Sequence, residues 1–149
     1  MTSHKKLFLV KQTIIQDNYD IVVVSESWLD PPTTNNDIQI PGHIIFRQDR
    51  DPHKSGGGIV VYIRNSFKAS IIDNSPATMD ANSQQLWLKV QCRKSKSFLL
   101  CAAYRPDSVS MSRFLDDFTA SFMDSLLQGM EVTVTGNLMQ TLCRALLVL

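Results

Sequence analysis

Residues 21–29 read Ile21-Val22-Val23-Val24-Ser25-Glu26-Ser27-Trp28-Leu29, and this stretch decides the fold class of the chain. Its continuous run of β-branched residues is typical of a strand that is covered on both faces inside an α/β sheet. Glu26 comes as this strand ends, where open α/β folds place their ligand crevices. Because hard cations such as Mg²⁺ prefer oxygen ligands, the position of Glu26 predicts a metal site.

The rest of the chain predicts further helices and strands in mixed order. Ser3 is a candidate cap for a first helix, whose apolar face would carry Leu7, Val10 and Ile14. Strand-like runs follow at 44–46, 59–63, 69–72, 86–92, 98–104 and 131–135. A short polar turn joins the runs 86–92 and 98–104, which therefore indicate a hairpin.

A second long helix is predicted after Arg105-Pro106-Asp107. Ser110 or Ser112 would cap this helix, and Gly129 would end it. The residues expected to face the core are Phe114, Phe118, Phe122 and Leu126. This mixture of helices and strands favours an α/β sandwich over a simple doubly wound sheet.

Composition indicates one globular domain. The chain has 149 residues, of which 44% are hydrophobic and 19% charged, which is typical of a globular domain. Its net charge of +1 does not indicate binding to nucleic acid or to a membrane. Three cysteines without CxxC spacing, Cys92, Cys101 and Cys143, favour a reducing compartment over a zinc site or disulfides. We recognise no secretory signal and no apolar run of membrane-spanning length.

Two local basic clusters allow two interpretations. Arg47 with Arg50, and Arg93 with Lys94 and Lys96, could contact phosphate groups. The alternative, which the pattern favours, is a solvated loop or hairpin tip.

Seven short motifs occur in an order that carries a family resemblance. They are Ser25-Glu26-Ser27-Trp28-Leu29, Ile40-Pro41-Gly42-His43, Phe46-Arg47-Gln48-Asp49-Arg50, Gly56-Gly57-Gly58 with the strand 59–63, Leu86-Trp87-Leu88, Ala103-Tyr104-Arg105-Pro106 and Val132-Thr133-Val134-Thr135-Gly136. In this order the chain resembles the endonuclease/exonuclease/phosphatase superfamily, specifically the endonuclease domain of non-LTR (LINE-type) retrotransposon polyproteins. The resemblance covers residues 1–139, and 140–149 form a tail outside it.

The resemblance implies a four-layer α/β sandwich in which two packed mixed sheets are flanked by helices. It also implies Mg²⁺-dependent nicking of DNA, and hence DNA as partner and an intracellular location, nuclear or cytoplasmic. Glu26 matches the family's metal-binding glutamate, and Tyr104 matches the tyrosine whose hydroxyl reaches toward the phosphate. Arg105 would contact phosphate or cap a turn. The glycines 56–58 would cradle phosphate or, as the pattern favours, permit a tight loop entering a strand.

The chain departs from the family at Gly136-Asn137-Leu138-Met139, which corresponds to the motif Gly-Asp-x-Asn. Asn137 replaces the catalytic aspartate that orients the attacking water, and an amide carries no charge and accepts no proton at neutral pH. Met139 replaces the asparagine that binds the phosphate, and its thioether is only a weak acceptor.

Other family elements have no match. These are the first strand with its asparagine ligand, a further aspartate, and the Ser-Asp-His motif that supplies the histidine; His4, His43 and His53 are expected on the surface. We therefore expect a domain with an incomplete C-terminal half, an unpaired edge beside 132–135, weak or absent Mg²⁺ binding and no meaningful nuclease activity. The alternatives are an active Mg²⁺-dependent phosphodiesterase completed by missing sequence, and a non-catalytic nucleic-acid- or protein-binding remnant.

Overall fold

The computed structural model describes residues 3–53, 56–74 and 83–137. Its helices are α1 Ser3–Asp17, α2 Asn35–Ile38 and α3 Met111–Leu126. Its strands are β1 Ile21–Ser25, β2 His43–Gln48, β3 Ile59–Arg64, β4 Lys68–Asn74, β5 Gln84–Gln91, β6 Phe98–Tyr104 and β7 Glu131–Asn137. The predictions for Met139, Cys143 and the tail 140–149 lie outside the described residues, as do those for the side chains of His4 and Leu7.

The strands form two sheets, which confirms the α/β class. One sheet has the order β1-β3-β2, and both of its pairings are antiparallel. The other has the order β4-β5-β6-β7, in which β6 and β7 are parallel and the remaining pairs antiparallel. The expectation of two mixed sheets is confirmed for the four-stranded sheet and was wrong for the three-stranded sheet, in which both pairings are antiparallel. The predicted hairpin is confirmed as β5 and β6, and α3 provides the crossover that a parallel β6–β7 pair requires.

The largest apolar cluster lies between the two sheets. The strands β1, β3, β5 and β6 contribute alternate residues to it, because successive side chains of a strand point to opposite faces. From the three-stranded sheet come Ile21, Val23, Ile59, Val61 and Ile63. From the four-stranded sheet come Leu86, Leu88, Val90, Leu100, Ala102 and Tyr104.

Two further clusters lie on the outer faces of the sheets. Val22 and Val24 of β1 pack there with Ile14 of α1, so the prediction that β1 is covered on both faces is confirmed. On the other sheet, Trp87 and Cys101 pack with Phe114 of α3. Within the described residues, no helix is long and apolar enough to cross a membrane.

The predicted α3 is largely confirmed. Ser110 is the N-cap, and its side chain accepts a hydrogen bond from the Arg113 N–H. Phe118 stacks between Phe114 and Phe122, with ring centroids 5.6 Å apart on each side. The prediction for Leu126 was wrong, because its side chain is 45% exposed. Residues four apart advance about 40° around a helix, so a fourth member of the series lies about 120° from the first.

We expect Phe118→Ala to lower the free energy of unfolding by about 2–3 kcal/mol, because it removes the central ring of the stack that joins α3 to Trp87. Met123→Ala is the matched control in the same helix, since Met123 is 57% exposed, and should change the stability by less than about 0.5 kcal/mol. Denaturant titration followed by tryptophan fluorescence measures both. Equal effects of the two substitutions would contradict this account of α3.

Candidate functional site

The candidate site lies where β1 and β6 end, one strand from each sheet. The Tyr104 hydroxyl donates a hydrogen bond to Glu26 Oε1 at 2.9 Å, between residues 78 positions apart in the chain. Tyr104 is buried and Glu26 is partly buried. The two leading sequence-predicted site residues are therefore in direct contact.

An unusual backbone turn carries Glu26 out of β1. Glu26 has φ of 53° and Trp28 has φ of 60°, in the left-handed region that non-glycine residues seldom adopt. Two backbone hydrogen bonds of 3.0 Å hold this turn, from Ser27 N–H to the Gly58 carbonyl and from Trp28 N–H to the Gly57 carbonyl. The strained turn and the glycine segment before β3 thus support each other.

The glycine segment is required by close packing. A Cβ atom at Gly58 would lie 2.5 Å from Ser27 Oγ, and one at Gly57 would lie 2.9 Å from Gln84 Oε1. Both glycines also have positive φ, 88° and 95°. The N–H of Gly58 donates to Gln84 Oε1 at 2.7 Å, so it is used within the protein. These contacts support the tight-loop interpretation over the phosphate cradle.

Electrostatics keep the Tyr104 phenol protonated. Burial raises its pKa most, and the hydrogen bond to Glu26, the charge of Glu26 and the charge of Asp107 raise it further. A neutral phenol is a hydrogen-bond donor, and here its proton is directed at Glu26.

Asn137 ends β7 directly beside Tyr104. The parallel pairing of β6 and β7 puts Asn137 in register with Tyr104 and Gly136 in register with Ala103. A Cβ atom at Gly136 would lie 1.8 Å from the Ala103 carbonyl oxygen, so that position requires glycine. The side chain of Asn137 lies outside what the structure describes.

Two of the arginines proposed for phosphate binding, Arg105 and Arg47, donate hydrogen bonds to carbonyl groups of loops. Arg105 donates to the Val109 carbonyl, which supports its turn-capping interpretation. Arg47 forms a bidentate pair with Asp49 and also donates to the carbonyls of Asp30 and Thr33. Because these acceptors engage the guanidinium, Arg47 anchors the segment before α2.

The sequence reasoning missed Gln84 and Gln48, two of the buried glutamines at this end of the sheets. Gln84 accepts from Gly58 N–H and donates to the Asp49 carbonyl at 3.0 Å, so its amide links the sheets. Gln48 is 6% exposed, and neither polar atom of its side-chain amide has a hydrogen-bond partner among the described residues. The available signal was alternation: Gln84 precedes Leu86 and Leu88, and Gln48 follows Ile44 and Phe46, at positions that face the inter-sheet core.

The expectation that His43 lies on the surface was wrong. Its ring is 8% exposed, with Nε2 at 3.0 Å from the Tyr19 carbonyl oxygen and Nδ1 at 3.3 Å from that of Pro41. A carbonyl oxygen that accepts the ring N–H replaces water, which permits burial. His43 begins β2, at the end of the sheet opposite to Gln48 and Glu26. His53 is exposed, as predicted.

The described part of the site provides a carboxylate of the kind that Mg²⁺ binds, that of Glu26. The Tyr104 phenol already donates a hydrogen bond to this carboxylate. Across residues 3–53, 56–74 and 83–137, no group of three or more His, Cys, Asp or Glu side chains is placed to hold a metal. Mg²⁺ prefers near-octahedral oxygen coordination that includes one or two carboxylates.

No protein-family model matches this chain, and no curated protein matches it significantly. The family resemblance therefore depends on the motifs read from the sequence.

We expect the stability of the protein to fall above pH 10 partly because of Tyr104. Its pKa is raised from 10.0 in the folded state, so the unfolded chain loses the phenolic proton first as pH rises. The associated stabilisation is complete below about pH 10 and is lost above it. Tyr104→Phe should show a shallower alkaline decline in unfolding free energy, measured by denaturant titration from about pH 9 upward. Tyr62, whose pKa is raised to about 12, is present in both proteins, so its contribution to the pH dependence cancels in the comparison. Identical slopes would contradict the assignment.

We expect Gln48→Met to raise the free energy of unfolding by about 1 kcal/mol, because it removes a buried amide that has no hydrogen-bond partner in the described part of the chain. The matched control, Gln84→Met, should lower it by about 1–3 kcal/mol, since the Gly58 N–H then loses its acceptor. Thermal and denaturant unfolding measure both variants. A destabilising Gln48→Met would contradict the unpaired state of that amide.

Proposed function

We propose that the chain is an endonuclease/exonuclease/phosphatase-like domain of non-LTR retrotransposon origin that no longer cuts DNA. Its ancestral activity was Mg²⁺-dependent nicking by phosphodiester hydrolysis. The single observation that carries this proposal is the 2.9 Å hydrogen bond between Tyr104 and Glu26, with Asn137 in backbone register beside Tyr104. The resemblance assigns these same three positions to its site.

The arrangement of the core supports the fold part of the proposal. One apolar cluster is shared by the two sheets, a second includes α1 and the three-stranded sheet, and a third includes α3 and the four-stranded sheet. We propose that these layers are the helix, sheet, sheet and helix of a four-layer sandwich. In that fold the ends of β1 and β6 would form one rim of the catalytic cleft.

The identity of residue 137 supports the loss of chemistry. Phosphodiester hydrolysis needs a group that orients or deprotonates water, together with a cation that offsets the phosphate charge. Asn137 supplies neither a base nor a negative charge. Removing one member of a catalytic unit typically costs a large part of its rate enhancement, because the members act together.

The negative charge of Glu26 also argues against phosphodiester hydrolysis by this chain. A phosphodiester is an anion, and a carboxylate repels an anion unless a cation lies between them. Glu26 provides a carboxylate for such a cation, and an amide at position 137 adds no second negative charge. The remaining role of the Tyr104–Glu26 pair is to join the ends of two strands from different sheets.

A nicking assay tests this proposal. We expect supercoiled plasmid to remain intact with the purified 149-residue chain in Mg²⁺, at the same background as with EDTA. Glu26→Gln is the matched control, because it removes the charge that a metal would need while preserving the shape of the side chain. Circular dichroism and a cooperative thermal transition establish that both proteins are folded.

The outcomes separate an inactive domain from an active enzyme. If the wild type and Glu26→Gln show the same low level of plasmid nicking with and without metal, the result supports the proposal of an inactive domain. Metal-dependent nicking by the wild type that Glu26→Gln abolishes would overturn it and favour an active phosphodiesterase.

A further inference from the structure

An open cleft lies at the end of the sheets opposite to Glu26 and Tyr104. Its volume is about 960 Å³, and its wall includes Ile21, Phe98 and Glu131, which begin β1, β6 and β7. Tyr104 is at the other end of β6, which spans roughly 20 Å at about 3.3 Å per residue. The cleft is therefore separate from the site described above.

The cleft has an aromatic and apolar floor. Phe67 and Phe98 line it, and both are partly buried against the core between the sheets. Their rings are thus held from behind while part of each remains exposed. Such half-buried rings provide the flat faces on which unpaired nucleobases stack.

The rim of the cleft is basic. Lys89 and Lys96 line it and are exposed, and Arg93 and Lys94 are exposed in the adjoining turn between β5 and β6. Asp20 and Glu131 also line the cleft, but the Asp20 carboxylate is paired with the Arg64 guanidinium at 2.5 Å. At this cleft the lysine and arginine side chains therefore outnumber the carboxylates that are not paired with a cation, which favours an anionic ligand.

We propose that this cleft binds single-stranded nucleic acid, with a base against Phe98 and Phe67 and the backbone phosphates on Lys89 and Lys96. The combination of a stacking face with a cationic rim is the chemistry that holds single strands without reading their sequence. A double helix keeps its bases stacked internally, so it offers this floor nothing to bind. This site is independent of the Glu26 end and of whether the chain cuts DNA.

Fluorescence anisotropy with a labelled oligothymidine, in EDTA, tests the proposal. The wild type should bind the single strand more tightly than a duplex of matched length. Phe98→Leu, which keeps apolar bulk in the core, should weaken binding roughly five-fold or more, because it removes the stacking face. The double variant Lys89→Gln/Lys96→Gln should reduce the slope of log affinity against log salt by about 1.4.

Two controls make the test specific. Arg113→Gln, which removes an exposed charge on α3, should leave affinity nearly unchanged. Glu26→Gln should also leave it unchanged, so the result is separate from the nicking assay. Unaltered affinity of folded Phe98→Leu, or equal binding of duplex and single strand, would overturn the proposal even if the lysine variant binds more weakly.

Discussion

The rest of the structure depends on the burial of β3 on both faces. Residues 59–63 are at most 1% exposed, with Ile59, Val61 and Ile63 in the core between the sheets and Val60 and Tyr62 in the core beneath α1. β1 and β2 pair with its two edges. Because side chains alternate, a shift of one residue would exchange the two cores. The same register sets Ser25 opposite Ile59 and so determines where Glu26 leaves the sheet.

The strands and the hairpin could be predicted from the sequence, because they follow from local hydrophobic patterns. Contacts between side chains and residues distant in the chain could not. The β-branched runs of β1 and β3 and the hairpin of β5 and β6 follow directly from local composition. His43 is buried with the carbonyl oxygens of Tyr19 and Pro41 beside its two ring nitrogens, and the sequence does not indicate which backbone carbonyls lie near a side chain. The contacts of Arg47 were unpredictable for the same reason, because its acceptors include the backbone carbonyls of Asp30 and Thr33.

The candidate site was predictable in its members and not in its geometry. Glu26 and Tyr104 were identified through family motifs, whereas their contact across 78 residues depends on how the two sheets pack. Asn137 was visible as a departure from the family pattern. Its place beside Tyr104 depends on the register of the parallel pairing, which no local signal specifies. Gln84 could have been predicted as buried, because it alternates with Leu86 and Leu88 on the face of β5 that points to the core between the sheets.

The close approach at Gly136 has a consequence for how such a protein changes over time. No side chain fits against the Ala103 carbonyl, so exchange at position 136 threatens the fold itself. The next residue ends the strand, where one polar side chain can replace another while the backbone pairing persists. Two adjacent codons are therefore constrained differently, because position 136 accepts only glycine whereas the backbone pairing at position 137 does not depend on the side chain. Substitutions at position 137 can accumulate while the architecture persists.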